Sequence, residues 1–333
     1  MYESLGICLA LAALLTINAL ATLAATAIWR GVRLRAGRWS AAGRAQLVFS
    51  LRVLPAAIAA FSVIALLVPA YAMHEPYQTT EVVSLRLAAL ALLSMTGILL
   101  ALWRGLAAWV VTRRLLADWL GHATPIRLEN VSIPAYRLDH SFPVIAIVGS
   151  FRPRLFIADH IFDALNKDEL SAAIRHEQGH LRARDNLRNA MLRACRDALS
   201  IAPCGRTLDC AWAEASEEAA DEYAARAGAA TALDLAAALV KIARLIPAGT
   251  RPSLPAGALL IGDEPKGIAA RVRRLTALAS SADSTVEGQE APSNRLLLIG
   301  SGALAVALLF AASNPRILAA VHSAIESIVA ALQ

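Results

Sequence analysis

Charge is what this chain has least of. Of its 333 residues only 17% are Asp, Glu, Lys or Arg, while 57% are hydrophobic and the mean hydropathy is +0.52. An ordinary soluble domain carries about 25% charged residues. The apolar surplus here is gathered into long runs, so the sequence reads as a membrane protein. Four cysteines, Cys8, Cys195, Cys204 and Cys210, are too few and too scattered for a secreted disulfide scaffold. Glycine (18) and proline (14) are too sparse for a collagen-like or low-complexity chain. Aromatic residues make up 5% and nowhere interleave with a basic patch, which argues against a nucleic-acid partner despite a net charge of +6. Acids are missing altogether between Trp29 and Val53, where Arg30, Arg33, Arg35, Arg38, Arg44 and Arg52 stand. Those six arginines are the whole excess, since the other 26 basic residues balance 26 acidic ones.

A basic cluster between two apolar spans marks a cytoplasmic loop. Ser4 to Trp29 carries no charge and is long enough to span a bilayer. Its positive charges follow the apolar run instead of preceding it, unlike a cleaved signal peptide. The second span runs from about Val53 to Met73, and an acidic stretch from His74 to Arg86 reads as external. A third starts near Leu87 and is uncharged to Trp103, with Arg104, Arg113 and Arg114 marking its cytoplasmic end. Leu296 to Ala312 supplies a fourth. The spans contain no mid-membrane acid or base, which argues against a transporter or proton pump. Both termini are expected outside, and the segment from about Arg113 to Asn294 in the cytosol, where its thiols stay reduced.

Within that segment the pattern changes. Val131–Arg137, Val144–Val148 and Leu155–Ile157 are short β-branched or aromatic runs bounded by turn residues, which predicts a small antiparallel sheet. Asn166, with Glu169 three residues on, opens a helix by a capping-box pattern. That helix carries His176-Glu177-Gln178-Gly179-His180. Histidines four apart share one helix face and can share one ion, and the glutamate beside them can accept a proton from a metal-bound water. A catalytic zinc needs a third protein ligand and an open position. The metzincin extension is absent, because Ala183 and Asn186 stand where glycine and histidine would be needed.

The third ligand must therefore come from a later helix, about Asp209 to Gly228. There Glu214, Glu218, Glu222 and Arg226 form one row at spacing four, expected as a solvated, salt-bridged face. Glu217 and Asp221 form another, among Ala213, Ala220 and Ala224. Glu217 is the expected zinc ligand, with Asp221 accepting a hydrogen bond from a ligand histidine. Charged neighbours of the motif, from Lys167 to Asp185, put the site in water beside the membrane. The group that stabilises the developing oxyanion is left open among Tyr223, His140 and His160. An extended substrate could align by strand addition along Val144–Val148 or Leu155–Ile157.

The run Gly149-Ser-Phe-Arg-Pro-Arg154, then Asp168-Glu-Leu170, His176-Glu-Gln-Gly-His180 and Arg184-Asp185-Asn186, resembles the antirepressor family of membrane metallopeptidases, the beta-lactam sensor-transducers and their relatives. Glu217-Glu-Ala-Ala-Asp221 is similar to that family's third-ligand motif, and to those of the CAAX prenyl protease and the heat-shock membrane proteases. The likeness covers about Val131 to Leu275, plus the arrangement of three spans before the domain and one after. It departs at the C-terminus, where about twenty residues, Ser313 to Gln333, stand in place of an extracellular penicillin-binding domain, so sensing by acylation is not expected.

The expected architecture is an α-helical membrane part with four transmembrane helices plus a mainly α, α+β cytosolic zincin-type metallopeptidase domain. Residues 1–112 form three transmembrane helices with a basic cytoplasmic loop at 30–52, and 113–279 the metallopeptidase domain. A flexible linker follows at 280–294, then the fourth transmembrane helix at 295–313 and a short external amphipathic tail at 314–333. The expected function is that of a zinc endopeptidase of the cell inner or plasma membrane, acting on cytosolic or membrane-proximal proteins in signalling, regulatory proteolysis or quality control. Its ligands are Zn2+ at His176, His180 and Glu217, with Glu177 catalytic and Asp221 behind the ligands. Expected partners are a protein or peptide substrate, membrane lipid, and a membrane protein or second copy of the chain; nucleic acid is not among them. The alternative is an inactive signalling or scaffold protein with a structural zinc. The segment 280–294 reads first as a passive linker; the alternative is that the protease cuts this tether, or the adjoining Arg271–Leu275, itself. Reporter fusions after Arg38 and within Asp209–Gly228 should score cytosolic, and one at Gln78 external; an external score for the second fusion would overturn the topology.

Overall fold

The structure, a computed structural model, describes residues 2–37, 39–74, 83–129, 131–199, 204–246, 265–281, 302, 306–307 and 309–332. Among the described residues, three helical stretches are long and apolar enough to cross a membrane: α1 (Tyr2–Ala36), the continuous stretch Ala41–His74, and α4 (Leu85–His122). The second consists of α2 (Ala41–Phe61), one π-helical turn (Ser62–Leu67) and α3 (Val68–His74). Large apolar side chains such as Leu20, Ile64, Leu92 and Leu99 stay exposed on these helices. So much exposed apolar surface fits an apolar surrounding, not water. Most of the expected fourth span, and all of the expected linker beyond Ser281, lie outside the described residues; near the span's end, residues 309–313 are helical.

The helices outrun their apolar spans. Leu, Arg and Ala are good helix formers, so α1 continues past Trp29 to Ala36, and the expected loop 30–52 shrinks to a tight turn. Ser40 then caps α2, its hydroxyl accepting from Gly43 N at 3.3 Å. At 38 residues α4 is about 57 Å long, well beyond the ~30 Å hydrocarbon core of a bilayer. Its last turns enter the globular part, where the Trp119 ring packs 5.1 Å from that of Phe156.

The sheet has four strands: β1 (Ala123–Ile126), β2 (Ala135–Leu138), β3 (Ile145–Val148) and β4 (Arg154–Ala158). Their order is β1-β2-β4-β3, and β2 runs parallel to β4. The expectation of a purely antiparallel sheet is thereby corrected. The chain leaves β2, forms β3 at the edge, and turns back so that β4 inserts between them. The unexpected β1, Ala-Thr-Pro-Ile, follows α4 without a break and offers no alternating run to read.

Against this sheet pack α5 (Asp159–Ala164), α6 (Lys167–Ala183) and α9 (Ala229–Leu245), around a core that includes Phe156, Ile157, Ile161, Ala173, Leu235 and Leu239. Helix α7 (Asp185–Leu199) starts directly after Arg184, whose φ of 56° ends α6 in the left-handed region. Helix α8 (Cys204–Ala225) places Leu208 and Trp212 among Ala25, Trp29 and Ala36 of α1 and Val48 and Leu51 of α2. Helix α10 (Pro265–Ser281) adds Leu275 to the main core.

Helix α1 serves as a ruler. Leu5 and Leu9 near its start pack with Ile325 and Val329 of the C-terminal helix Pro315–Leu332. Trp29, about 36 Å farther along, packs with α8. The C-terminal helix and the α6–α8 region therefore lie at opposite ends of α1.

Asn166 caps α6: its side chain accepts from Glu169 N at 2.8 Å, while the Glu169 carboxylate accepts from Asn166 N at 2.9 Å. Lys241 of α9 donates to the same carboxylate at 2.7 Å. Asn166→Ala should lower stability by about 1 kcal/mol, measured as a lower unfolding midpoint of the purified protein. An unchanged midpoint would show that the Lys241 contact alone holds this end of α6.

Candidate metal centre

The site begins with a missing Cβ. A side chain on Gly179 would meet Ala220 Cα at 2.9 Å and Tyr223 Cβ at 3.3 Å, so glycine lets α6 approach the α8 backbone. That approach sets His176 and His180 opposite Glu217. The two Nε2 atoms lie 3.1 Å apart, and each is 3.6 Å from a Glu217 carboxylate oxygen. Ligand atoms ~2.0–2.1 Å from a tetrahedral zinc stand about 3.3–3.4 Å from one another. His176, His180 and Glu217 could hold a metal ion, and the group has these three members among the described residues.

The outer face of each imidazole is fixed by a carboxylate. His176 Nδ1 lies 2.8 Å from Asp221 Oδ1, and His180 Nδ1 lies 2.8 Å from Asp185 Oδ2, which also accepts from the Ser216 hydroxyl at 2.8 Å. With the Nδ1 protons given to carboxylates, both Nε2 lone pairs face the common point, an arrangement typical of metal-binding histidines. Glu217 Oε2 is buried and accepts no hydrogen bond, although Arg271 Nη1 lies 3.0 Å away. Two imidazole nitrogens beside it form a donor set suited to zinc.

Glu177 is buried next to the histidines, with a backbone hydrogen bond from Ile147 of β3. Asn186 donates from Nδ2 to Ile147 O at 2.9 Å and to Gly149 O at 3.3 Å. Of the two strands considered for substrate alignment, β4 lies inside the sheet and has no free edge. Strand β3 is an edge, but the Ile147 amide and carbonyl are already engaged by Glu177 and Asn186.

Burial pushes the Glu177 carboxyl up from its ordinary range, and the charge of Glu217 adds to this against the two histidines. Burial works the same way on Glu217, but His176, His180 and Arg271 outweigh it and hold its pKa at about 2. Asp221 is likewise held well below the usual carboxylate range by His176 and Arg271, against its burial. For His180, burial is outweighed by Asp185, Glu217 and Glu177, which raise it to about 9. The site is thus rich in negative charge and draws cations, whether protons or a metal.

Other expectations fare unevenly. Glu218 and Glu222 do not form a solvated row with Arg226. Glu218 pairs with Arg44 of α2 and, at 3.3 Å, with Arg274 of α10, while Glu222 pairs with Arg274 and accepts from Ala41 N. Of the three oxyanion candidates, His140 is engaged with Phe142 and Trp119, His160 lies on α5, and Tyr223 shares α8 with Glu217. Within Arg271–Leu275 the chain is helical and Leu275 is fully buried, so this stretch offers no cutting site as folded. Sequence reasoning gave Asp185, Asn186 and Arg271 no role in the site. A helix break right after the motif could have pointed to the first two, but nothing local marks Arg271.

Comparison with protein-family models, curated proteins and solved structures gave no match.

Gly179→Ala drives a methyl into the Ala220 backbone and should part α6 from α8. Metal content by atomic absorption should fall at least tenfold. Retention at the wild-type level would show that the α6–α8 approach does not set the ligand geometry.

Proposed function

We propose that the chain is a membrane-anchored, zinc-dependent endopeptidase with its site facing the cytoplasm, of the antirepressor type that its motifs resemble. One observation carries this reading: three ligand atoms converge from α6 and α8, both imidazoles are oriented by carboxylates, and a buried glutamate stands next to them. His176, His180 and Glu217 would hold the zinc, which when bound polarises a water and the scissile carbonyl. Asp221 and Asp185 keep the imidazoles in register. Glu177 takes the water's proton on its carboxylate and returns it to the departing amine nitrogen. The Ile147 amide holds that carboxylate beside the ligands during the transfer.

The membrane setting supports a substrate that is a cytosolic or membrane-proximal protein. Trp212 on α8 shares a packed cluster with Trp29 of α1, so the site lies close to the basic end of the spans. Arginine enrichment at that end supports a cytoplasmic site. Helix α10 lies at the same end, because Arg274 joins Glu222, which accepts from Ala41 N. The C-terminal helix packs at the other end of α1. Helix α10 and the C-terminal helix thus stand at opposite ends of α1, which supports a fourth crossing.

The rival reading, an inactive scaffold with a structural zinc, requires a closed site with four protein ligands. Among the described residues the group has three members, which favours an open position.

Purified protein should hold about one zinc per chain. His176→Ala or Glu217→Ala should abolish binding, while Glu218→Ala leaves it intact. Glu177→Gln should keep the metal and accumulate uncut substrates in a proteomic comparison of membranes and cytosol. Cleavage at the wild-type rate by Glu177→Gln would overturn the reading.

A further inference from the structure

Helix α10 fastens itself to α8 with two arginines one turn apart. Arg274 engages Glu218 and Glu222, the row facing the basic turn. Arg271 engages the other row, the one that serves the metal centre. Its Nε donates to Asp221 Oδ2 at 2.9 Å and its Nη2 to Asp221 Oδ1 at 2.7 Å, a two-pronged grip on one carboxylate. The same Asp221 Oδ1 holds His176 Nδ1 at 2.8 Å. Arg271 Nη1 also lies 3.0 Å from Glu217 Oε2, and Nη2 lies 3.4 Å from both ring nitrogens of His176, covering the ring. Asp221 and His176 are fully buried, and the Arg271 side chain is 10% exposed.

A carboxylate that serves a histidine from one oxygen can still rotate about its own bond. A planar guanidinium bound to both oxygens removes that freedom, which a single ammonium cannot do. We propose that Arg271 is a positioning residue for the metal centre. By fixing the plane of Asp221 it fixes the tautomer and tilt of His176, and it makes the centre depend on the seating of α10. The proposal rests on the metal-centre reading above and adds to it the requirement for a helix that carries no ligand.

Substitution by lysine keeps the charge and loses the fork, so positioning is separated from electrostatics. The measurement uses the full chain in nanodiscs, titrated with Zn2+ and with Co2+, whose visible absorption reports ligand geometry. Wild type should bind one ion; its failure to do so overturns both the function reading and this inference. Arg271→Lys should bind 10–100-fold more weakly, the usual cost of losing such an orienting partner, with a shifted Co2+ band and unchanged helical circular dichroism. Arg274→Lys, the same change one turn away, should stay within twofold. Equal losses for the two variants, or wild-type binding by Arg271→Lys, would overturn the proposal while leaving the metal centre standing. Asp221→Asn with Arg271→Lys should bind no worse than Asp221→Asn alone, because the second residue acts through the first. Additive losses would overturn it, and this comparison remains decisive where Arg271→Lys by itself disturbs folding.

Discussion

The approach of two helix backbones at Gly179 is the constraint on which the rest depends. At this spacing α6 offers two imidazoles and α8 one carboxylate to a single point, and a methyl's thickness more would separate them. Holding helices so close requires each to be fixed independently. Helix α6 is fixed by its capping box, by Lys241 and by a face of small residues, Ala172 and Ala173, against the core. Helix α8 is fixed at its foot, where Leu208 and Trp212 are packed among membrane helices. The ligands thus come from rigid elements, which hold a site more tightly than loops do.

Local signals carried much of this into the sequence. The cap at Asn166, the two-histidine face and the pairing of Glu217 with Asp221 are short-range patterns, readable because a helix repeats every 3.6 residues. The three apolar spans were legible from the length of their uncharged runs, though their helices extend farther, since lipid ends a span but only a cap or a breaker ends a helix. What stayed hidden depends on tertiary contact. The parallel pairing of β2 with β4 follows from where β3 and its connection lie, which no strand pattern encodes. Arg271 lies 50 residues from its partner Asp221 and sits in a stretch, Arg271-Val-Arg-Arg274, that looks like an ordinary basic helix face. The row Glu218–Glu222 looked solvated for the same reason, its true partners being on α2 and α10.

Those partners change the meaning of the basic turn. Positive charge at the end of a span fixes orientation by remaining exposed to the cytoplasmic side. Arg30, Arg33 and Arg35 are exposed. Arg44 and Arg52 are drawn into the domain, Arg44 to Glu218 and Arg52 to Asp209 at 2.9 Å. The Arg52–Asp209 pair is mostly buried, and Arg52 Nη2 and Asp209 Oδ2 lack hydrogen-bond partners. A buried pair so incompletely satisfied contributes little net stability, because desolvation offsets its attraction. What it does supply is register. An apolar foot alone could slide along α2 with modest loss, whereas an arginine and an aspartate, each costly to bury alone, match in one position only. That position sets the height of α8, and two turns beyond Asp209 the same helix presents Glu217 to the histidines.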